Sequence, residues 1–233
     1  MNESGIGPEA IKMKVKMDYA RLQKDPGIRA LDSILELMAH LKKPSVDVRY
    51  LIDDALKLMY RQLHIKEITV GLRDPSDGLF RYVAQQGVRD EIWEGHRQLT
   101  YKADAFTGRG KWKGTVISKN SILYLVEDQP YADGEKNTYQ EHLSQVSKRR
   151  TMEDSIEGDY LDVHITGANG EILGWFEASS MWDGKLPSAN TIRWMELIAD
   201  IVAIALSRER ENGLQNPAAR TASKADSVPS KKQ

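Results

Sequence analysis

Between Tyr160 and Ser180 the chain carries two β-patterned runs around a turn. The first run, Tyr160-Leu161-Asp162-Val163-His164-Ile165-Thr166, and the second, Glu171 to Ser180, flank Gly167-Ala168-Asn169-Gly170. Alternation of apolar and polar residues is the signature of a strand with one buried face. A Gly- and Asn-rich turn between two such runs makes an antiparallel hairpin. A second hairpin is written at Lys66–Arg73 and Leu79–Gln86, around Asp74-Pro75-Ser76-Asp77-Gly78. The core of the fold is therefore an antiparallel sheet with one apolar face.

Helical periodicity surrounds these strands. Ile28, Leu31, Ile34, Leu35, Met38 and Leu41 recur at helical spacing, and Lys42-Lys43 and Pro44 end that helix. Ser45 is placed to cap a second helix with the stripe Leu51, Ile52, Ala55, Leu56, Met59 and Leu63. A short helix is expected at Val88–Gly95, and another near Thr138–Lys148 inside a polar insert, Asp128–Glu157. Pro187-Ser188 opens a last helix whose apolar face is Ile192, Met195, Ile198, Ala199, Val202, Ala203 and Leu206. Residues 1–27 form a polar N-terminal extension with a weak helix at Met13–Leu22. Residues 212–233, rich in Ser, Ala, Lys and Pro, are expected to be a disordered tail.

Composition removes several function classes. Lys+Arg total 33 against Asp+Glu 34, so no global field steers the chain to nucleic acid or an anionic membrane. The sequence has no cysteine, which excludes disulfides, thiolate nucleophiles and cysteine-bound metals or chromophores. The N-terminal stretch lacks the apolar core of a signal peptide, and the run Ile201–Leu206 is too short to span a bilayer. A soluble, cytoplasmic protein is expected.

The order helix, helix, hairpin, irregular middle, hairpin, long helix resembles a GAF domain, the small-molecule sensor fold related to PAS. Three stretches carry the resemblance: the hairpin from Glu67 to Gln86; Gly114 to Tyr124, which looks like the family's short helix, turn and strand; and Gly170 to Ala178 followed by Ile192–Leu206. Together they cover residues 28–211. The resemblance implies an α+β fold with a six-stranded antiparallel sheet. Terminal helices would cover one face and an irregular lid the other, enclosing a pocket. Members that reduce methionine sulfoxide or attach a bilin use cysteines that this chain lacks, and the cyclic-nucleotide signature is not recognisable. No kinase, cyclase or helix-turn-helix segment follows, so a signal is expected to pass in trans or through the terminal helices, which in such domains commonly pair as a homodimer.

Alternation also assigns the second sheet face. Ile68, Val70, Leu72, Leu161, Val163 and Ile165 should meet the helices. Thr69, Gly71, Arg73, Asp162, His164 and Thr166, with Trp175, Glu177 and Tyr82, should face the lid. Charged groups on a covered face must be paired or must bind something polar. Arg73, Tyr82, Asp162, His164, Trp175 and Glu177 are the candidate ligand residues; the alternative is a partly solvated face with local pairs such as Arg73 with Glu177 or Asp162. His164 is the one histidine placed to face the lid, as an axial haem ligand, a general base or a packed residue. Arg109, in Gly108-Arg109-Gly110-Lys111-Trp112-Lys113-Gly114, joins the candidates because backbone N–H groups beside Arg and Lys suit an anion, although the P-loop spacing is missing. Lys148-Arg149-Arg150 reads as a solvated helix end or an anion clamp. Trp112, Trp175, Trp182 and Trp194 lie on separate elements, which favours packing over base stacking.

Neither a nucleophile–base pair nor a metal spacing is visible, so the expected role is a regulatory module. It would bind a small polar ligand of unknown identity, with no assigned cofactor, and report to a protein partner. The alternative is a ligand-free interaction or scaffold domain.

Overall fold

A computed structural model describes residues 6–22, 25–106 and 114–215. Its strands are β1 (Ile65–Arg73), β2 (Phe80–Gln86), β3 (Thr115–Val116), β4 (Ser121–Tyr124), β5 (Tyr160–Thr166) and β6 (Ile172–Met181). They form one antiparallel sheet in the order β2-β1-β6-β5-β4-β3. Its α-helices are α1 (Pro8–Leu22), α2 (Pro26–Ala39), α3 (Val48–Gln62), α4 (Asp90–Gln98), α5 (Glu141–Val146) and α6 (Ala189–Gln215). The expected α+β architecture is present. None of the helices described is long and apolar enough to cross a membrane.

The two periods meet in the core. Ile68, Val70, Leu161, Val163 and Ile165 pack against the α3 stripe and against Met195, Ile198, Ala199, Val202 and Leu206 of α6. Ala30, Ile34 and Leu37 bring α2 into the same cluster. Fully burying each of these aliphatic side chains contributes about 1.5–3 kcal/mol, so the helical layer fixes the sheet. Asp47, not Ser45, caps α3, its carboxylate accepting from the Tyr50 N–H at 3.1 Å. Asp lies two residues closer to the first apolar position, so it holds the open N–H groups instead.

Other boundaries shift. The Gly114–Tyr124 stretch holds two short strands and no helix: Thr115 and Val116 pair with Leu123 and Ile122. The insert helix is split into a tight turn at Asp133–Thr138 and the short α5. α1 begins at Pro8 and buries no side chain. α6 runs to Gln215, past the expected start of the tail; the remainder of the tail lies outside the described residues.

Candidate functional site

The lid-facing side of the sheet is set by register. On β6, Trp175 and Glu177 are two residues apart and so share a face. Thr69 and Asp162 stand opposite Glu177 on its two neighbouring strands, and Gly71 and His164 stand opposite Trp175. A register shift between Val70 and Gly71 brings Tyr82 of β2 opposite Gly71. Cross-strand neighbours have Cβ atoms about 4.5–5.5 Å apart, so the pairing alone sets two carboxyl groups side by side. The lid comes from α4, the turn Ala103–Phe106 and the turn Asp133–Thr138.

Glu177 is held from two sides. The Tyr82 hydroxyl donates to Oε2 at 2.5 Å, and His96 Nε2 lies 3.3 Å from Oε1. His96 Nδ1 is 2.9 Å from the Ile92 carbonyl, which can accept and cannot donate. Nδ1 therefore carries a proton, and Nε2 shares a hydrogen bond with Glu177 Oε1. Burial opposes a charge on the ring, but the Glu177 hydrogen bond and charge outweigh it and hold the His96 pKa above its ordinary value.

Asp162 has no such support. Its side chain is buried, and among the described residues Oδ1 has no hydrogen-bond partner. Burial, then the neighbouring charges of Glu177 and Glu135, push its carboxyl well above the usual range. Thr69 Oγ1, on the far side of Glu177, is the other buried oxygen without a partner among the described residues. Buried polar atoms are nearly always satisfied, so these two oxygens stand out; of the two residues, Asp162 borders the cavity described below.

The walls are aromatic. Trp175 meets Tyr82, Tyr101 and Phe106 with ring centroids 5.1, 5.7 and 4.9 Å away. Tyr124 stacks on Tyr160 at 4.5 Å. Tyr101 donates to Glu135 Oε1 at 2.8 Å, and Glu135 Oε2 accepts from the Ala132 N–H, which ties the lid turn to the aromatic wall. Burial raises the pKa of the Tyr82, Tyr101, Tyr124 and Tyr160 phenols, so all four remain neutral donors. These groups enclose about 30 Å³ of free space beside Asp162 and Glu177. That is room for roughly two waters.

Tyr82, Asp162, Trp175 and Glu177 are thus brought together as the alternation required. His164 shares their face and is buried, with its ring edge-on to Phe106 at 5.9 Å. Burial lowers its pKa, and among the described residues it makes no hydrogen bond to Asp162 or Glu177. Arg73 is not in the site. It lies at the exposed end of β1, where its Nε donates to the Gly78 carbonyl at 3.4 Å and holds the side chain on the hairpin turn. Arg109 and the glycine- and lysine-rich loop lie outside the described residues.

Arg149 is neither a solvated end nor an anion clamp. It donates to both oxygens of Glu127 at 2.8 Å and to buried Asp159 at 2.7 Å, stitching the insert to the start of β5. Trp182 packs edge-on to Tyr60, and Trp194 borders the main core.

His96, Tyr101, Phe106, Tyr124, Glu135 and Tyr160 were not anticipated. Five of the nine tyrosines fall between residues 101 and 160, a density that hints at a polar-tipped aromatic wall. Among the described residues no group of three His, Asp or Glu could hold a metal ion.

No protein-family model matches the chain, and no curated protein matches it in sequence. Solved structures do match in shape. A domain of a phosphoenolpyruvate-protein phosphotransferase from Coxiella burnetii is 14% identical, covering 80% of this chain and 98% of its own, with a TM-score of 0.52. The phycocyanobilin-bound domain of a cyanobacterial phytochrome is 12% identical over 78% and 96%, with a TM-score of 0.51. A domain assigned to a sensor histidine kinase from Pseudomonas syringae pv. tomato is 12% identical over 87% and 99%, at 0.50. All three are GAF domains. The sheet, its helical backing and its lid therefore define a single-sheet α+β domain. Within that class, the fold is the GAF fold.

Proposed function

We propose that this chain is a sensory or regulatory module that binds a small polar ligand between the sheet and the lid. It reports through its terminal helices, as a homodimer read by a protein partner in trans, and catalyses no reaction. The observation that carries this reading is the buried, unpartnered carboxyl of Asp162 facing a cavity. Leu161 and Val163, the residues on either side of it, belong to the cluster that includes α6. Any shift of β5 on the ligand side must therefore move the packing on the helix side.

A second link runs along the sheet edge. Ser118 and Ser121 both donate to Glu196 of α6, and Ser121 pairs with Val163. Ligand that orders the lid would change the population of helix arrangements, which is how a binding event becomes a signal. On the helical layer, Leu31, Leu35 and Met38 of α2 and Leu197 and Ile204 of α6 are exposed and fall at helical spacing. An apolar surface of this kind supports a dimer or a partner. The phytochrome neighbour holds phycocyanobilin; this chain has no cysteine to tether such a group. The absence of cysteine also suits a reducing, cytoplasmic setting.

The ligand-free scaffold reading has one observation in its favour, the small free volume of the cavity. Native mass spectrometry of freshly purified protein, with an absorption spectrum of the same sample, separates the two. A dimer carrying extra mass is expected. A monomer that stays free of added mass after exposure to cell extract refutes the sensor reading.

A further inference from the structure

Resting on the ligand-binding reading above, we infer that the ligand is an organic cation bearing N–H groups, a primary or secondary ammonium, whose charged head sits between Asp162 and Glu177. Three features of the cavity and the strands beneath it converge on this class. The first is the missing donor. Asp162 Oδ1 and Thr69 Oγ1 flank Glu177 in one cross-strand row, and neither has a partner among the described residues. A carboxyl oxygen buried in this way is satisfied by an N–H or O–H from a bound molecule.

The second feature is charge. Glu177 is already countered by His96, whereas no cation among the described residues stands against Asp162. The described residues lining the cavity include Glu135, Asp162 and Glu177 and no Lys or Arg. An anionic ligand would bring a further negative charge beside these carboxyl groups at low local dielectric, where like charges repel most strongly. A cation brings no such repulsion. The third feature is the wall. The negative faces of Tyr and Trp rings attract cations within about 6 Å of the ring centre, and Tyr82, Tyr101, Tyr124, Tyr160 and Trp175 all border the same cavity.

Size and bonding narrow the class. The roughly 30 Å³ of free space admits an ammonium head and leaves no room for a trimethylammonium group unless the lid moves. A quaternary nitrogen also has no N–H to give Asp162. As the cation enters, the proton that burial favours on the Asp162 carboxyl passes to solvent, so one positive charge arrives for each proton that leaves.

The test uses the full chain and four probes at matched concentrations: propylammonium, tetramethylammonium, propionate and propanol. Thermal unfolding reports binding, because a ligand that binds the native state raises the midpoint. Calorimetry in two buffers of different ionisation enthalpy reports the proton. The expected result is that propylammonium raises the midpoint, releases about one proton per ligand and binds D162N roughly 10- to 100-fold more weakly, with no proton released. Asparagine is isosteric with the neutral acid, and cooperative unfolding of the unliganded variant confirms its fold. Asp162→Ser provides a second variant with the same expected loss. A stronger response to propionate or propanol, undiminished in D162N, overturns the cation and leaves a ligand-binding module standing. Silence from all four probes also overturns the cation; a native mass without any retained small molecule then removes the module reading as well.

Discussion

Gly71 is where the sheet makes room for the aromatic wall, and replacing it tests the site's construction. A Cβ built at this position would fall inside the Trp175 indole, against Cη2, Cζ2 and Cζ3. The ring has little freedom to retreat. Trp175 is 2% exposed and is bordered by Phe80, Tyr82, Tyr101 and Phe106. Forcing one extra carbon into a packed core costs about 1–3 kcal/mol. Gly→Ala returns roughly 0.4–1 kcal/mol by restricting the unfolded chain. G71A should therefore be destabilised by about 1–2 kcal/mol, a midpoint loss of roughly 2–8 °C for a domain of this size. Urea unfolding followed by circular dichroism, in a double-mutant cycle with Trp175→Leu, isolates the contact. With the indole gone the clash is gone, so G71A in the W175L background should be neutral or stabilising by up to about 1 kcal/mol, giving a coupling of roughly 2 kcal/mol. A G71A protein as stable as the parent would refute the placement of the indole over Gly71, and the aromatic wall with it.

Further perturbations probe the charges and the link to the helices. Both Asp162 and His96 have folded pKa values raised above their unfolded ones. Each therefore adds stability that is fully present below its unfolded pKa and is lost as pH rises through its folded pKa. D162N should flatten the Asp162 part of that loss, which begins above the ordinary carboxylate range, and should exceed the parent in stability at pH 8; chemical denaturation between pH 4 and 8 measures it, and a parent more stable at pH 8 than at pH 5 contradicts it. Arg149→Met leaves Asp159 buried beside two backbone N–H donors without its cation, a loss of about 2–4 kcal/mol tempered by the partial exposure of Arg149; an unchanged urea midpoint would count against the stitch. Glu196→Ala removes the acceptor for Ser118 and Ser121 and should cost about 1–2 kcal/mol while weakening any ligand-driven change at α6, read by hydrogen exchange of that helix. Leu35→Lys with Met38→Lys should shift a dimer to monomer in sedimentation without unfolding it, and an unaltered sedimentation coefficient would exclude α2 from the interface.

The parts of this fold that alternation and helical spacing describe were legible, and the parts made by long-range closure were not. Ile68, Val70, Val163 and Ile165 face the helices because a period of two leaves them no other side. The same rule delivered Tyr82, Asp162, Trp175 and Glu177 to one face. Arg73 obeyed that parity and still missed the site, since parity says nothing of where along a strand the cover ends. His96 falls just past the expected helix Val88–Gly95, and nothing local points to its partner, Glu177, 81 residues away. Glu135 and Tyr101, joined across 34 residues in irregular chain, follow no period at all. Lys148-Arg149-Arg150 looked like a free basic cluster because nothing local reveals that Glu127 and Asp159 converge on its middle residue.

The row Thr69, Glu177, Asp162 crosses β1, β6 and β5, three interior strands of the sheet. Its backbone is thus pinned by ladder bonds on both sides, while the surfaces that close over it come from turns and a short helix, joined to the sheet by the backbone bridge of Tyr101 with Phe80. The consequence is a division of labour open to evolution. Substitutions among the covering side chains can recut the shape of the cavity, whereas the carboxyl pair beneath it is written into the part of the domain that can least afford to change.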